Sequence, residues 1–267
     1  MASNKKFSKR ATFNQLKHVT RDIKYPKNID IDKERTHLNY SLSPERNMTD
    51  YEYLKKRLGE VEIANDRQDR VYMSGWVITK PVDLNDEYED VFFEECYNFL
   101  KDRYGEKNVI SANVHKDESG QPHMHFCFAP ITDYTPNENL VKVVEYFKEN
   151  PESTNTKASK ELGISRKTVL RYKHKTEDDI KYEKLSAKSV INKKELVTFH
   201  SDLQSYLDKK RIPAKVNTGI TKKQGGNMTV EQLKMQRNHL MEVHNGDIGE
   251  IIQTIDNIIE KVEEFEL

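Results

Sequence analysis

The stretch "NVHKDESGQPHMHFCFAPI", residues 113–131, gathers three of the chain's nine histidines, His115, His123 and His125, within eleven positions. Asp117 and Glu118 lie between them. Successive strand residues alternate faces, so His123 and His125 point the same way if this segment is a strand. His115, on a neighbouring strand across a turn near 118–121, would reach the same spot. A lone strand histidine is satisfied by ordinary hydrogen bonds. His-x-x-Glu followed by Pro-His-Met-His asks for more: three neutral imidazoles with coordination positions left open, the donor set of a catalytic rather than a structural metal site. The chain has no glycine-rich phosphate loop, no G-x-S-x-G elbow and no HExxH helix, which argues against nucleotide triphosphatases, hydrolases of the elbow class and zincins. An ion held by histidines beside basic segments suits a phosphodiester, because it polarises a non-bridging oxygen and offsets charge developing in transfer.

The charge distribution supplies such segments. Lys/Arg and Asp/Glu balance at 44 each, but residues 1–24 carry seven bases against Asp22 alone. Residues 157–175 carry seven bases against Glu161 alone, and the segment from Thr229 onward holds nine acids and three bases. Two separated basic patches fit a nucleic-acid partner better than a membrane. At 35% hydrophobic and 33% charged residues the composition is that of a soluble, polar protein. No apolar run approaches the roughly 18 residues of a membrane span. The basic N-terminus lacks the apolar core of a secretory signal. Cys96 and Cys127 have no CxxC spacing and read as reduced core residues, so a cytoplasmic location is expected.

The elements that must position the histidines follow from periodicity. Helices are predicted over 12–24, with Thr12 as cap, over "TDYEYLKKRLGEVEI" (49–63), and from Asn85 to Gly105 with Val91, Phe92, Cys96, Phe99 and Leu100 on one side. "YMSGWVITK" (72–80), "NVISANVH" (108–115) and "PHMHFCFAPI" (122–131) have strand chemistry, the last two as an antiparallel pair. After Thr135-Pro136 come three short helical segments, then strand-like "YEKLSAKSVI" (182–191). A helix from Asn192 follows, with Leu196, Phe199, Leu203 and Leu207 inward. Residues 213–228 read as a loop, and Ile248, Ile251, Ile252, Ile255, Ile259 and Val262 form an apolar stripe on an acidic helix.

These residues carry a resemblance. "HMH" is similar to the His-hydrophobic-His element of the HUH endonucleases. "LKHVTRDIKYPKNIDIDKERTHLNYSL" (16–42), "GWVITKPVDL" (75–84), the block 92–131, and "KLSAKSVINKKELVTFHSDLQSYL" (184–207) resemble, in order, the MobV (Mob/Pre) relaxases. The resemblance implies an α+β fold, a mostly antiparallel central sheet flanked by helices, with the histidines on its two central strands. It implies metal-dependent nicking of one strand at an origin of transfer, attachment to the 5′ phosphate, and later rejoining. A histidine nucleophile corresponds to His18, with Arg21 three residues on. Tyr25, in "KYPKN", is the rival nucleophile, as most HUH enzymes use tyrosine. Arg21 and Arg35 are candidate phosphate clamps. Glu118 is a candidate to bind the ion or a water, or to take a proton; Asp117 is a candidate to orient a ligand histidine. His37 and Asn39 match the motif without an assigned role. The family's ion is Mn²⁺; Mg²⁺, Zn²⁺, Co²⁺ and Ni²⁺ are alternatives.

Residues 136–180 depart from the family pattern. "ASKELGISRKTVLRYKHK" reads as a helix-turn-helix, with Ala158, Gly163 at the turn, Ser165 as cap, and Ile164, Val169 and Leu170 inward. Arg166, Lys167, Arg171 and Lys173 would then face DNA, at the origin or at a promoter. The resulting organisation is a relaxase domain over 1–135 and 181–220, the inserted module over 136–180, and a C-terminal helical region over 221–267. That last region is available for packing, self-association or contact with other mobilisation proteins. The competing readings are a rolling-circle replication initiator and a non-catalytic DNA-binding regulator.

Overall fold

The computed structural model describes residues 2–23, 31–64, 67–118 and 120–216. Tyr25 and the C-terminal helical region 221–267 lie outside the described residues. An open antiparallel sheet of five strands carries the fold: β1 (Ala2–Ser8), β2 (Tyr40–Ser41), β3 (Val71–Thr79), β4 (Val109–His115) and β5 (His123–Phe128), in spatial order β1-β3-β5-β4-β2. The two strands of the histidine stretch therefore sit side by side near the middle, with His115 directly opposite His123. The sheet is flanked by α1 (Lys9–Val19) and α2 (Asp50–Gly59), and by α3 (Glu89–Tyr104), the short α7 (Ala187–Val190) and α8 (Lys193–Lys209).

The strand alternation sorts two layers. Met124, Phe126 and Phe128 of β5, with Ala112 and Val114 of β4, join Phe92, Phe99 and Leu100 of α3 and Phe199, Leu203 and Leu207 of α8 in one core. Trp76 stacks on Phe199 with ring centroids 3.5 Å apart and donates its indole N–H to the Tyr104 hydroxyl at 2.8 Å. Cys127, with Met73, packs on the opposite face among Leu16 and Val19 of α1 and Leu54 of α2. His123 and His125 share the parity of Cys127, so they open onto the face covered by α1. Both cysteines are buried and free, as expected. Among the described residues no helix is long and apolar enough to cross a membrane.

Several expectations are corrected. The basic N-terminus, for which no element is expected, forms the edge strand β1, paired with β3. Only Ala2 and Phe7 of it are buried, because an edge strand over a half-covered face shows little alternation. The first helix begins after Ser8 and ends at Val19, and Thr12 lies buried within it rather than capping it. The strand-like run 182–191 is a three-residue strand, β7 (Glu183–Leu185), followed by α7, because Ser186 to Val190 close a helical turn on their own backbone. Leu196 of α8 is 43% exposed rather than inward.

β7 pairs with β6 (Ile131–Asp133), and the Tyr134 amide donates to the Tyr182 carbonyl at 2.7 Å. This two-stranded stem closes the insertion. Above it α4 (Glu138–Glu149), α5 (Asn155–Leu162) and α6 (Arg166–Tyr172) enclose a separate small core of Val143, Ala158, Ile164 and Val169. Leu170 does not join that core; it is 49% exposed.

Candidate active site

α1 crosses the sheet face that bears the histidines, and its last turn brings His18 onto them. The His18 ring lies 5.4 Å from His125 and 5.9 Å from His115, centroid to centroid. His115, His123 and His125 are 4.7–5.5 Å from one another. Glu118, in the turn after β4, points its carboxylate into the same space: Oε1 is 3.5 Å from His115 Nδ1 and 3.7 Å from His18 Nε2, and Oε2 is 3.5 Å from His123 Nε2. His18, His115, Glu118 and His125 each offer a donor atom within 4.8 Å of the others. Strand spacing alone places three histidines there; the fold adds His18 and Glu118, and His123 stands at their edge.

The orientation of each ring is fixed from outside. His115 Nε2 lies 2.9 Å from the Val19 carbonyl and can only donate to it, which leaves Nδ1 as the lone-pair nitrogen facing inward. His123 Nδ1 is 3.3 Å from the Gln121 carbonyl, so its lone pair is on Nε2, again inward. His115 Nδ1, His123 Nε2, His125 Nε2 and Glu118 Oε2 are all buried without a hydrogen-bond partner. Four orphaned acceptors converging in a buried site fit a divalent cation, since desolvated acceptors are otherwise costly.

The electrostatics agree. Burial disfavours the imidazolium, and the neighbouring rings reinforce it, so His18 and His123 are lowered to about 4 and His125 falls well below 6.5; the Glu118 charge opposes but does not win. Burial alone would raise the Glu118 carboxyl, yet His115, His123 and Arg21 together hold it well below the usual carboxylate range. Neutral imidazoles and an ionised carboxylate are the protonation states that ligate metal.

Arg21 organises the edge of the site. It follows α1 in the left-handed conformation, φ 57°, which a non-glycine residue adopts only when its surroundings hold it there. Its Nε and Nη2 donate to the two oxygens of Asp117 at 3.0 and 2.6 Å, Nη2 also donates to Glu118, and Nη1 donates to the His18 carbonyl at 3.0 Å. The side chain expected to clamp phosphate thus braces the turn that carries Glu118. Asp117, fully buried, also accepts from Thr36 Oγ1 at 3.0 Å, and touches no ligand ring. It orients Arg21 rather than a histidine. Asn39 Oδ1 accepts from the Lys116 amide at 2.7 Å, so this motif residue pins the start of the same turn. His37 turns outward and bonds the Glu34 carbonyl, and Arg35 is exposed on the adjoining turn, outside the cluster. Thr36 and the Val19 carbonyl were not anticipated; a backbone carbonyl has no signature in sequence.

Asp117→Asn should cost about 2–3 kcal/mol, since it leaves a partly buried guanidinium with Glu118 as its one remaining carboxylate. Urea unfolding at pH 7 in EDTA measures this, and a change under about 1 kcal/mol would mean Arg21 does not depend on Asp117.

The family model described as plasmid recombination enzyme (Mob_Pre) matches residues 1–235. The chain belongs to the plasmid recombination enzyme family. The resemblance seen in the His-Met-His and N-terminal blocks is thereby borne out. Among relatives of this family, a plasmid recombination enzyme of Streptococcus agalactiae is 37% identical over 123 residues, 43% of this chain and 25% of that protein. A type 2 plasmid recombination enzyme of Staphylococcus aureus is 30% identical over 214 residues, 74% of this chain and 50% of that protein. The chain thus spans half the length, or less, of these relatives. The fold is similar to the solved MobM relaxase domain, a Mob_Pre protein bound to pMV158 origin-of-transfer DNA and to Mn. That match has a TM-score of 0.58 at 24% identity and covers 88% of this chain and 97% of that one. The α+β fold expected for this plasmid recombination enzyme family is the one observed.

Proposed function

We propose that this chain is a metal-dependent DNA strand transferase of the plasmid mobilisation type. It nicks one strand at an origin of transfer, becomes joined to the 5′ phosphate through His18, and reverses the step to reseal the strand. The observation that carries the proposal is the convergence of His18, neutral and partly buried, on a site of three histidines and Glu118. The MobM domain, of the same fold, is bound to origin DNA and Mn, which supports DNA as the substrate and Mn²⁺ as the ion.

His115 through Nδ1, and His123 and His125 through Nε2, are the residues that would hold the ion. When bound, it supplies Lewis acidity to the scissile phosphate and offsets charge on its oxygens. The chain's own contribution is the nucleophile and its setting. A neutral imidazole has a lone pair to form a P–N bond as the P–O3′ bond breaks. The departing 3′ oxygen takes a proton from water, and the ring surrenders its N–H proton. Glu118, ionised and 3.7 Å from His18 Nε2, is the nearest base for that proton. Arg21 ties the Glu118 turn to the end of α1 through its bonds to Glu118 and the His18 carbonyl, so nucleophile and base are held together.

The test is a gel assay for a covalent protein–DNA adduct with origin DNA from the same replicon, run with Mn²⁺ or EDTA. An adduct formed only with the ion, split by acid and stable to base, is the result expected of a phosphoramidate. An adduct stable to acid and lost in Tyr25→Phe would move the chemistry to Tyr25. DNA bound with no adduct under any condition would favour the regulator.

A further inference from the structure

The α6 face of the inserted module answers to nothing in the site described above. We infer that it is a second DNA interface, which docks α6 in the major groove of duplex DNA; the inference rests on the reading that the chain acts on DNA. The module has the parts that fix such a helix. Thr154 caps α5 by accepting from the Lys157 amide, Gly163 ends it in the left-handed conformation at φ 64°, and Ser165 caps α6 by accepting from the Thr168 amide. The Ser159 hydroxyl ties the turn by donating to the Ile164 carbonyl at 2.7 Å.

On α6, Val169 points into the small core, which turns Arg166, Lys167, Leu170 and Arg171 to solvent within about 140° of the helix circumference. Arg166, Lys167 and Arg171 are exposed, and among the described residues none is paired with a carboxylate. Three of the module's acids are engaged with other partners: Glu177 with Lys148 at 2.6 Å, Asp179 with Lys175 at 2.9 Å, and Glu161 accepting from the Tyr146 hydroxyl at 2.7 Å. Lys173 leaves the set anticipated from sequence; it is half-buried, with its ammonium 5.6 Å over the Phe147 ring. Three uncompensated cations around one exposed leucine form a face with the chemistry of a base-reading helix. The cations meet phosphate and purine acceptors, and the leucine meets a thymine methyl.

The root of the module favours the same reading. It leaves the sheet after Phe128, at the end of β5 remote from His123, a strand length of roughly 17 Å. A module rooted at that end of β5 would let one chain grip duplex while presenting a single strand to His18.

The measurement compares the whole chain with its Arg166→Ala/Lys167→Ala/Arg171→Ala variant. Binding to 30-base-pair origin duplex is followed by anisotropy over a salt series, and adduct formation on a single-stranded origin oligonucleotide with Mn²⁺ is run in parallel. The expected result is a drop of at least tenfold in the ratio of duplex affinity to single-strand adduct yield. The slope of log affinity against log salt should shrink by about 2–3, near 0.9 for each phosphate the variant no longer neutralises. Leu170→Ala should lower preference for origin over random duplex and leave the salt slope in place. Equal duplex affinity and slope in wild type and triple variant would overturn the inference, and would leave the basic face to a protein partner. Absence of single-strand adduct in the wild type strikes the strand-transfer reading instead, and leaves the duplex comparison as the judge of the module.

Discussion

His18→Ala should lower covalent adduct formation by a factor on the order of 10⁴ or more, because on the proposed mechanism it removes the attacking group. The expected loss is confined to chemistry. The ring is at the C-terminal end of α1, its nearest hydrogen-bonding neighbour being Arg21 Nη1 at 3.5 Å, so the fold leans on it little. Stability should change by no more than about 1 kcal/mol, and binding to single-stranded origin DNA should stay within a few fold. Arg21 keeps Asp117 and Glu118, and His115 keeps the Val19 carbonyl, so the rest of the site survives the truncation. The informative comparison is His18→Ala against Glu118→Gln. If Glu118 takes the proton, its amide variant should retain some adduct, since the nucleophile is intact and only the acceptor is gone; general-base assistance is worth roughly 10²–10⁴. Adduct formation by His18→Ala at more than a hundredth of the wild-type rate would refute histidine attack.

Why was so much of this site legible? The histidines lie on strands, where a period of two converts sequence directly into side. His123 and His125 had to share a face, and the turn between β4 and β5 is short enough that His115 faces His123. What the sequence did not carry were contacts made by backbone and by strain. The Val19 carbonyl that sets the His115 tautomer has no letter in the sequence, and the left-handed turn at Arg21 is imposed by Asp117, ninety-six residues away. Arg21 reads in the sequence as a candidate phosphate clamp because it is a basic residue three positions from the candidate nucleophile His18; in the fold its guanidinium is held by Asp117 and Glu118. Its partners Asp117 and Glu118 were legible as acids but not as its own. Strand β1 carries no strand signal, because ASNKKFS is polar and only Ala2 and Phe7 of it are buried. In the inserted module the helical pattern is plain, but 3.6-residue periodicity over seven residues does not separate Leu170 from Val169; both are expected inward, and only Val169 is buried.

The metal-free protein should lose stability steeply between pH 7 and pH 5. In the unfolded chain each histidine takes a proton near 6.5. In the fold, burial among other imidazoles lowers His18 and His123 to about 4 and His125 well below 6.5. Between those values the unfolded chain binds more protons than the folded one, so stability is full above about pH 7 and falls as pH drops through this window. His18 and His123 each contribute about 2 kcal/mol of loss by pH 5, and His125 adds in the same direction. His200, lowered by burial although it bonds the Ala2 carbonyl, adds in the same direction. The carboxylates act in a different range. Asp117 and Glu118 are held below their ordinary values despite burial, so their contributions persist until pH falls below about 4. The pH 5–7 interval therefore isolates the imidazoles. A domain of this size should show a melting temperature lower by about 10 °C or more at pH 5 than at pH 7 in EDTA. His125→Gln should flatten that dependence by removing one titrating ring. Mn²⁺ should raise the melting temperature most at pH 7 and progressively less toward pH 5, where protons compete for the same nitrogens. A melting temperature that is level from pH 7 to pH 5 in EDTA would mean the rings are not held neutral and buried, and with that the site would lose its claim to be pre-formed for an ion.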